Sequence, residues 1–378
     1  MNIVFLYYTD GYPVKFSAAN TKAEFVAEGL MQSEVKVHLI NKSYGPNNVA
    51  PEYVDNKGII VHSIKNTNGK IVSSIKNLFK TFAILRKVKQ REDNYLLIGC
   101  GNTFLFAPLL LASKLIGYKS AFILEEWEPS IPYPFIYKVN ALIHGHLFGY
   151  LFDYILPISE FLTDKARKFG KPMLKFPICS DFNFNVSTIE RTKSTDYFLY
   201  CASAGYQRAI YFVLDAYEIF NKAHTESSLH LVLNGSKSQL DEIKDVVAKR
   251  KLQNVEIKTS LPYNELQDEY RYALGLLIPL FPDRIADVAR FSQKISEYLT
   301  SKRPVVSSKV GEIPYYFHNH KDMCIDATNT VEGYASEMEY LWNNRKEADS
   351  IGNNGFELGK SLFDKTIIAK QLIDFFRK

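Results

Sequence analysis

Apolar runs and amphipathic stretches alternate along the whole chain, and their period switches between that of a buried strand and that of a helix. Residues 2–8 (NIVFLYY) are apolar throughout and rich in β-branched and aromatic side chains. A strand covered on both faces requires this, and the run leads into a loop at Thr9, Asp10, Gly11, Tyr12 and Pro13. The pattern predicts a helix over residues 18–31 and strands over 35–40, 58–61, 95–98, 120–124 and 154–158, with helical segments between most of them. Strands separated by helices of this length form a parallel sheet with helices on both faces. Residues 181–194 (DFNFNVSTIERTKS) are polar and aperiodic, as in a linker. The same logic then restarts. Strands are predicted at 197–201, 229–233, 255–258, 275–279 and 304–307, helices at 209–222 and 237–249, and a last amphipathic helix at 365–376.

The expected architecture is α/β, two doubly wound Rossmann-like domains facing a cleft. An N-terminal domain spans residues 1–180, a linker 181–195 and a second domain 196–362. A closing helix at 363–378 either caps the second domain or crosses back to the first. Ligands of open parallel sheets bind outside the carboxyl ends of the strands, so chemistry is expected there. Composition agrees: 378 residues with 46% hydrophobic and 23% charged residues suffice for two cores and exclude a disordered or collagen-like chain.

No stretch reaches the ~20 apolar residues of a membrane span, because Lys114 interrupts the longest candidate, residues 104–116. The first residues (MNIVFLYYTDGYP) lack the basic region and cleavage site of a signal peptide. Cys100, Cys179, Cys201 and Cys324 show no paired spacing, which reads as buried thiols in a reducing, cytoplasmic setting and argues against a structural zinc site. Charge is uneven. Residues 1–180 carry a net +7 and residues 181–378 a net −2. The densest basic run, residues 70–91, has no acid before Glu92, and Ile75, Leu78, Phe79, Phe82 and Leu85 fall at helical steps within it. It reads as a basic amphipathic helix, either packed on the sheet with its charges solvated or docked on an anionic membrane surface. Nucleic-acid binding is not expected, since the basic surface lies on one helix and lacks interleaved stacking aromatics on a strand platform.

No P-loop motif is present, and Gly99-Cys100-Gly101 lacks the third glycine of a dinucleotide fingerprint, with Phe104 in its place. The segment from Ala289 to Leu299 followed by Arg303-Pro304-Val305-Val306 reads as a loop, a helix from about Lys294, and a buried strand. A helix N-terminus with Lys294 suits a diphosphate, and Glu297 on the same face suits ribose hydroxyls. The plain alternative is a surface Lys–Glu pair, which contributes little. His144, His146, His318 and His320 show no third ligand nearby in sequence, so no metal site is expected from them.

The stretch ARFSQKISEYLTSKRPVVSSKVGEIPYY resembles the donor-site segment of retaining family 4 glycosyltransferases of GT-B architecture. Similarity extends to residues 11–30, 153–170 (DYILPISEFLTDKARKFG), 260–280 (SLPYNELQDEYRYALGLLIPL) and 351–358 (IGNNGFEL), so it covers nearly the whole chain. The resemblance implies transfer of a sugar, with retention, from a nucleotide diphosphate sugar to a hydroxyl of a glycan or lipid-linked acceptor, without a cofactor or metal. By position it implies that Glu297 holds the nucleotide ribose and that Arg208 and Lys294 neutralise the diphosphate. The amides of Phe291, Ser292 and Gln293 complete that cradle, Gly11 approaches the donor, and Leu261 and Pro262 wrap the base. The family's first glutamate falls on Ala289 and its usual arginine on Ser203. Where many members have a histidine, this chain has Glu125-Glu126-Trp127-Glu128, of which Glu126 is taken as the catalytic candidate. The alternatives are a nucleotide-sugar 2-epimerase of the same architecture and a non-catalytic nucleotide-sugar-binding subunit. A lipid-linked acceptor implies peripheral association at the inner membrane face.

Overall fold

A computed structural model of the chain describes residues 1–6, 18–43, 52–65, 70–99, 103–131, 133–183 and 196–378. Gly11, Cys100 and most of the expected linker lie outside the described residues. The chain divides into two compact units. One comprises Met1–Ser180, Ala289–Gln293 and Phe363–Lys378, the other Asp181–Val288 and Lys294–Leu362.

The first unit is built on a sheet of β1 (Asn2–Leu6), β2 (Lys36–Ser43), β3 (Glu52–Val54), β4 (Ile60–Lys65), β5 (Asn94–Ile98), β6 (Tyr118–Leu124) and β7 (Tyr154–Pro157). The spatial order is β3-β4-β2-β1-β5-β6-β7, and all neighbours are parallel except β3 and β4. Val4 of β1 sits between His38 and Leu96, so the most apolar strand lies at the centre. Helices α1 (Ala18–Met31), α2 (Lys70–Val88), α3 (Thr103–Leu115), α4 (Phe135–His146) and α5 (Glu160–Ala166) connect these strands. The strand expected at 58–61 begins later, at Ile60. Asp55 accepts from the Lys57 and Ile59 amides at 2.9 Å, and Gly58 takes φ +88°, so a turn occupies its first positions.

Helix α2 divides its apolar residues between two surfaces. Its buried face is Ser73, Asn77, Thr81 and Leu85, whereas Ile75 and Phe79 are exposed, Phe79 by 73%. Of the apolar residues at helical spacing, Ile75 and Phe79 therefore share the outer surface with Lys76, Lys80, Arg86 and Lys87, whereas Leu78 and Phe82 are half-buried and Leu85 is buried. Among the described residues, no helix is long and apolar enough to cross a membrane.

The second unit repeats the plan with β8 (Tyr197–Ser203), β9 (Ser228–Asn234), β10 (Val255–Lys258), β11 (Gly275–Ile278), β12 (Val305–Ser308) and β13 (Cys324–Asp326). These form an all-parallel sheet in the order β10-β9-β8-β11-β12-β13. Its helices are α6 (Gln207–Asn221), α7 (Lys237–Lys249), α8 (Tyr263–Tyr272), α9 (Ile285–Ala289), α10 (Gln293–Leu299), α11 (Ile313–Tyr316), α12 (Val331–Asn343) and α13 (Arg345–Phe363). Ser236 and Gln239 close a capping box on α7, which fixes its start where the sequence places it.

The last helix, α14 (Lys365–Phe376), belongs to the first unit. Ile368, Leu372, Ile373 and Phe376 enter that unit's core. The Tyr95 hydroxyl donates to the Phe376 carbonyl at 2.8 Å with the two rings stacked 4.2 Å apart. Lys365 pairs with Glu28 of α1 at 2.6 Å. A Cβ at Gly29 would stand 2.2 Å from the Lys365 carbonyl oxygen, so only glycine permits this approach of α1 to α14.

Candidate active site

Arg208, Leu261, Pro262, Lys294 and Glu297 all belong to the second unit, and most lie on segments that leave carboxyl ends of its strands. Beyond β8, the turn at Ala204-Gly205-Tyr206 is closed by Tyr206 N–H donating to the Ser203 carbonyl at 3.0 Å. This turn delivers Arg208 to the first turn of α6, rather than to the loop before it as sequence spacing suggested. Its guanidinium makes two bonds to Asp283, at 2.7 and 2.9 Å, and lies 4.1 Å from the centroid of the Phe281 ring. The hydrogen bond that Arg208 donates to Asp283 raises the Arg208 pKa, and the arginine lowers that of Asp283. Both side chains are more than half exposed, so the pair is open to exchange with an anionic ligand.

Helix α10 carries Lys294 and Glu297 one turn apart, Nζ to Oε2 3.8 Å. The plain reading of a surface pair does not hold, because Glu297 is only 6% exposed while Lys294 is about one-third exposed at 31%. Burial raises the Glu297 pKa and Lys294 only partly offsets it. Burial also disfavours charge on Lys294, but the Cys201 side chain, Glu297 and Tyr206 outweigh it and raise its pKa. The neighbouring Tyr298 fixes α10 against β8, its hydroxyl accepting from the buried Cys201 amide at 3.0 Å. Leu261 is half-buried and Pro262 exposed, in the connection from β10 to α8. The turn after β12 is tight: Gly311 has φ +57°, and a Cβ there would lie 2.7 Å from the Asp287 carbonyl oxygen.

Phe291, Ser292 and Gln293 belong to the first unit, so the expected phosphate cradle is split between the units. Phe291 is a core residue whose ring meets Phe363 edge-on at 5.4 Å. The Gln293 side chain accepts from the Cys179 amide at 3.3 Å and donates to the Cys179 carbonyl. Both side chains are structural. Ala289 is fully buried, and its carbonyl accepts from the Ser159 hydroxyl at 2.6 Å.

The three carboxylates beyond β6 separate by partner. Glu125 pairs with the buried Lys22 at 3.1 Å, and Glu126 with Arg290 at 2.7 Å. Glu128 is buried, and desolvation together with the charge of Glu126 pushes its pKa up to about 7. His144 stands 3.8 Å from it, held neutral by burial with its pKa near 4. Sequence singled out Glu126, whereas the group poised to exchange a proton near neutrality is Glu128. Its only sequence signal is the Pro129 that follows it in a short 3-10 turn.

Residues 182–358 match the family model "Glycosyl transferases group 1". The O-antigen chain mannosyltransferase C of Escherichia coli is 25% identical over 186 residues, 48% of this chain and 46% of that protein. The match spans about half the length of that curated relative. Among solved structures, the sucrose-phosphate synthase of Thermosynechococcus elongatus aligns over 100% of this chain and 98% of its own, with a TM-score of 0.79 at 13% identity. The Anabaena protein HepE, solved in complex with UDP and glucose, aligns over 100% and 99% with a TM-score of 0.73 at 12% identity. At such identities the likeness is one of fold: α/β with two parallel-sheet domains, the GT-B type.

Proposed function

We propose that the chain is a retaining glycosyltransferase of family 4, moving a sugar from a nucleotide diphosphate sugar to a hydroxyl of a glycan or lipid-linked acceptor. The observation that carries this reading is the buried Glu297 beside the partly exposed Lys294 on α10, inside the segment that matches the family model. An uncompensated buried carboxylate is costly, and ribose hydroxyls donating to Glu297 would repay that cost. Lys294 and Arg208 neutralise the diphosphate as it leaves, which is the main electrostatic contribution to catalysis. The bond between the anomeric carbon and the phosphate oxygen breaks as the bond to the acceptor oxygen forms. The acceptor's proton passes to the departing phosphate oxygen, so no protein base is consumed. Because two basic side chains serve the diphosphate, turnover is metal-independent. The names of the relatives support a nucleotide-sugar donor and a glycan acceptor.

For a lipid-linked acceptor, α2 supplies the docking surface. Ile75 and Phe79 project outward among basic side chains, which suits the interface of an anionic membrane. Packed beside it, α3 and then α4 expose Leu111, Leu115, Phe135 and Tyr137.

The test is a screen of UDP-, GDP- and ADP-linked sugars by thermal shift, followed by transfer of a radiolabelled sugar to lipid-linked oligosaccharide in the presence of EDTA. Label should move to the acceptor and the anomeric configuration should be kept. Conversion of the donor with no acceptor present would make the protein an epimerase, and binding without any conversion would make it a non-catalytic subunit.

A further inference from the structure

We propose that His320, Cys324 and Glu337 form a binding site for a zinc-type divalent cation, separate from the residues assigned to the donor. The ligand atoms of these three side chains lie within 4.8 Å of one another, although they come from a loop, the edge strand β13 and helix α12. Thiolate, imidazole and carboxylate together are the donor set of zinc rather than of magnesium or calcium, and three protein ligands with water in the fourth position is a common zinc arrangement. At the usual bond lengths, ligand atoms of a tetrahedral zinc site stand about 3.3–3.7 Å apart. His320 Nε2 and Glu337 Oε2, now 2.6 Å apart, must open slightly, and the widest separation must close by about 1 Å.

The surroundings hold the cluster ready. The His320 ring lies flat on Tyr340 at 3.8 Å and 3°, which fixes its plane. Its backbone N–H donates to the Met323 carbonyl at 2.8 Å, and Asn319 Oδ1 accepts from the Ile325 amide at 2.6 Å, tying the loop to β13. His320 is about one-third exposed, leaving an entry path and room for a water, whereas Cys324 is fully buried. Binding releases the Cys324 proton to solvent, and Nε2 of His320 gives up the proton it shares with Glu337 while Nδ1 carries the proton of the neutral ring, so that Nε2 can ligate. The bound cation would join helix α12 to the edge strand β13 of the second sheet. Spacing in the sequence did not suggest it because Glu337 arrives from the next helix, 17 residues after His320.

The experiment uses the full chain, reduced and stripped with chelator, titrated with Co²⁺ and followed by thiolate-to-cobalt charge-transfer absorption. The band should appear at one equivalent, bleach on addition of Zn²⁺, and be absent in Cys324→Ser. His320→Gln and Glu337→Gln alter partly exposed positions and keep the fold, and each should weaken Co²⁺ binding at least about tenfold, the lower end of what even outer-shell partners cost. No band at millimolar Co²⁺, or a band indifferent to His320→Gln and Glu337→Gln, would leave these residues as a hydrogen-bonded pair above a core cysteine and overturn the proposal.

Discussion

Glu297 faces Lys294 at 3.8 Å with almost no access to water, so its replacement separates a ligand role from a surface role. Glu297→Ala is expected to weaken nucleotide binding by about 1.5–3 kcal/mol, the scale of charge-assisted hydrogen bonds, and unchanged binding in calorimetry would remove it from the site. The ionised form accepts the ribose hydroxyls, and burial raises its pKa above the ordinary 4.5. Affinity should therefore fall on acidification at a higher pH than an exposed carboxylate would give, and Glu297→Gln should show weak binding with that pH dependence gone. At Arg208 the resting partner is Asp283, which competes with a diphosphate for the same guanidinium. Arg208→Ala should lower kcat by about 10²–10³, as for loss of one transition-state donor. Asp283→Asn should instead lower KM for the donor, and a raised KM in steady-state assays would show that Asp283 supports the site rather than competing in it.

Individual elements were legible where side chains alone decide them. The helices α7 and α14 and the strand β10 fall where periodicity places them, each closed by its own caps or turns. The short edge strands β3 and β13 were not legible, since three residues carry no period and pairing with a neighbour defines them. Helix α2 was legible as a helix but not by face: three polar side chains, Ser73, Asn77 and Thr81, are buried with Leu85. A period locates a stripe but does not say which neighbour covers it. For this helix we expect co-sedimentation with anionic but not zwitterionic vesicles, lost at about 0.5 M salt, where the screening length is under half of its ~10 Å at 0.1 M. Changing Lys76, Lys80, Arg86 and Lys87 to Gln should weaken it, and so should Phe79→Ser, which leaves the charge intact. Equal recovery with both vesicle types would mean that α2 does not select anionic lipid.

At the scale of the molecule, the alternation of strands and helices foretells the two parallel sheets, and Arg208, Leu261, Pro262, Lys294 and Glu297 all fall in the second unit. The division of the chain was not legible: Ala289–Gln293 joins the first unit although it lies between segments of the second. That membership depends on contacts such as Gln293 to Cys179, which no local pattern encodes. The attachment of α14 to the first unit can be tested at Gly29. A methyl there meets the Lys365 backbone, so Gly29→Ala should destabilise the first unit by about 1–3 kcal/mol, the usual cost of overpacking, seen as a lowered Tm. An unchanged melting transition would mean that α1 and α14 can separate at little cost.

Because Phe363–Lys378 supplies part of the first unit's core, the order of synthesis and the order of folding must differ. The ribosome releases residues 1–180 long before α14 exists, and the whole of the second unit is translated in between. During that interval Tyr95 lacks the Phe376 ring that covers it, and the α1 side of the sheet waits as exposed apolar surface. The second unit, complete by residue 362, can fold while the first is still waiting. In synthesis the first-made half of this protein is thus the last to be finished, with the α1 side of its sheet open until α14 has been made.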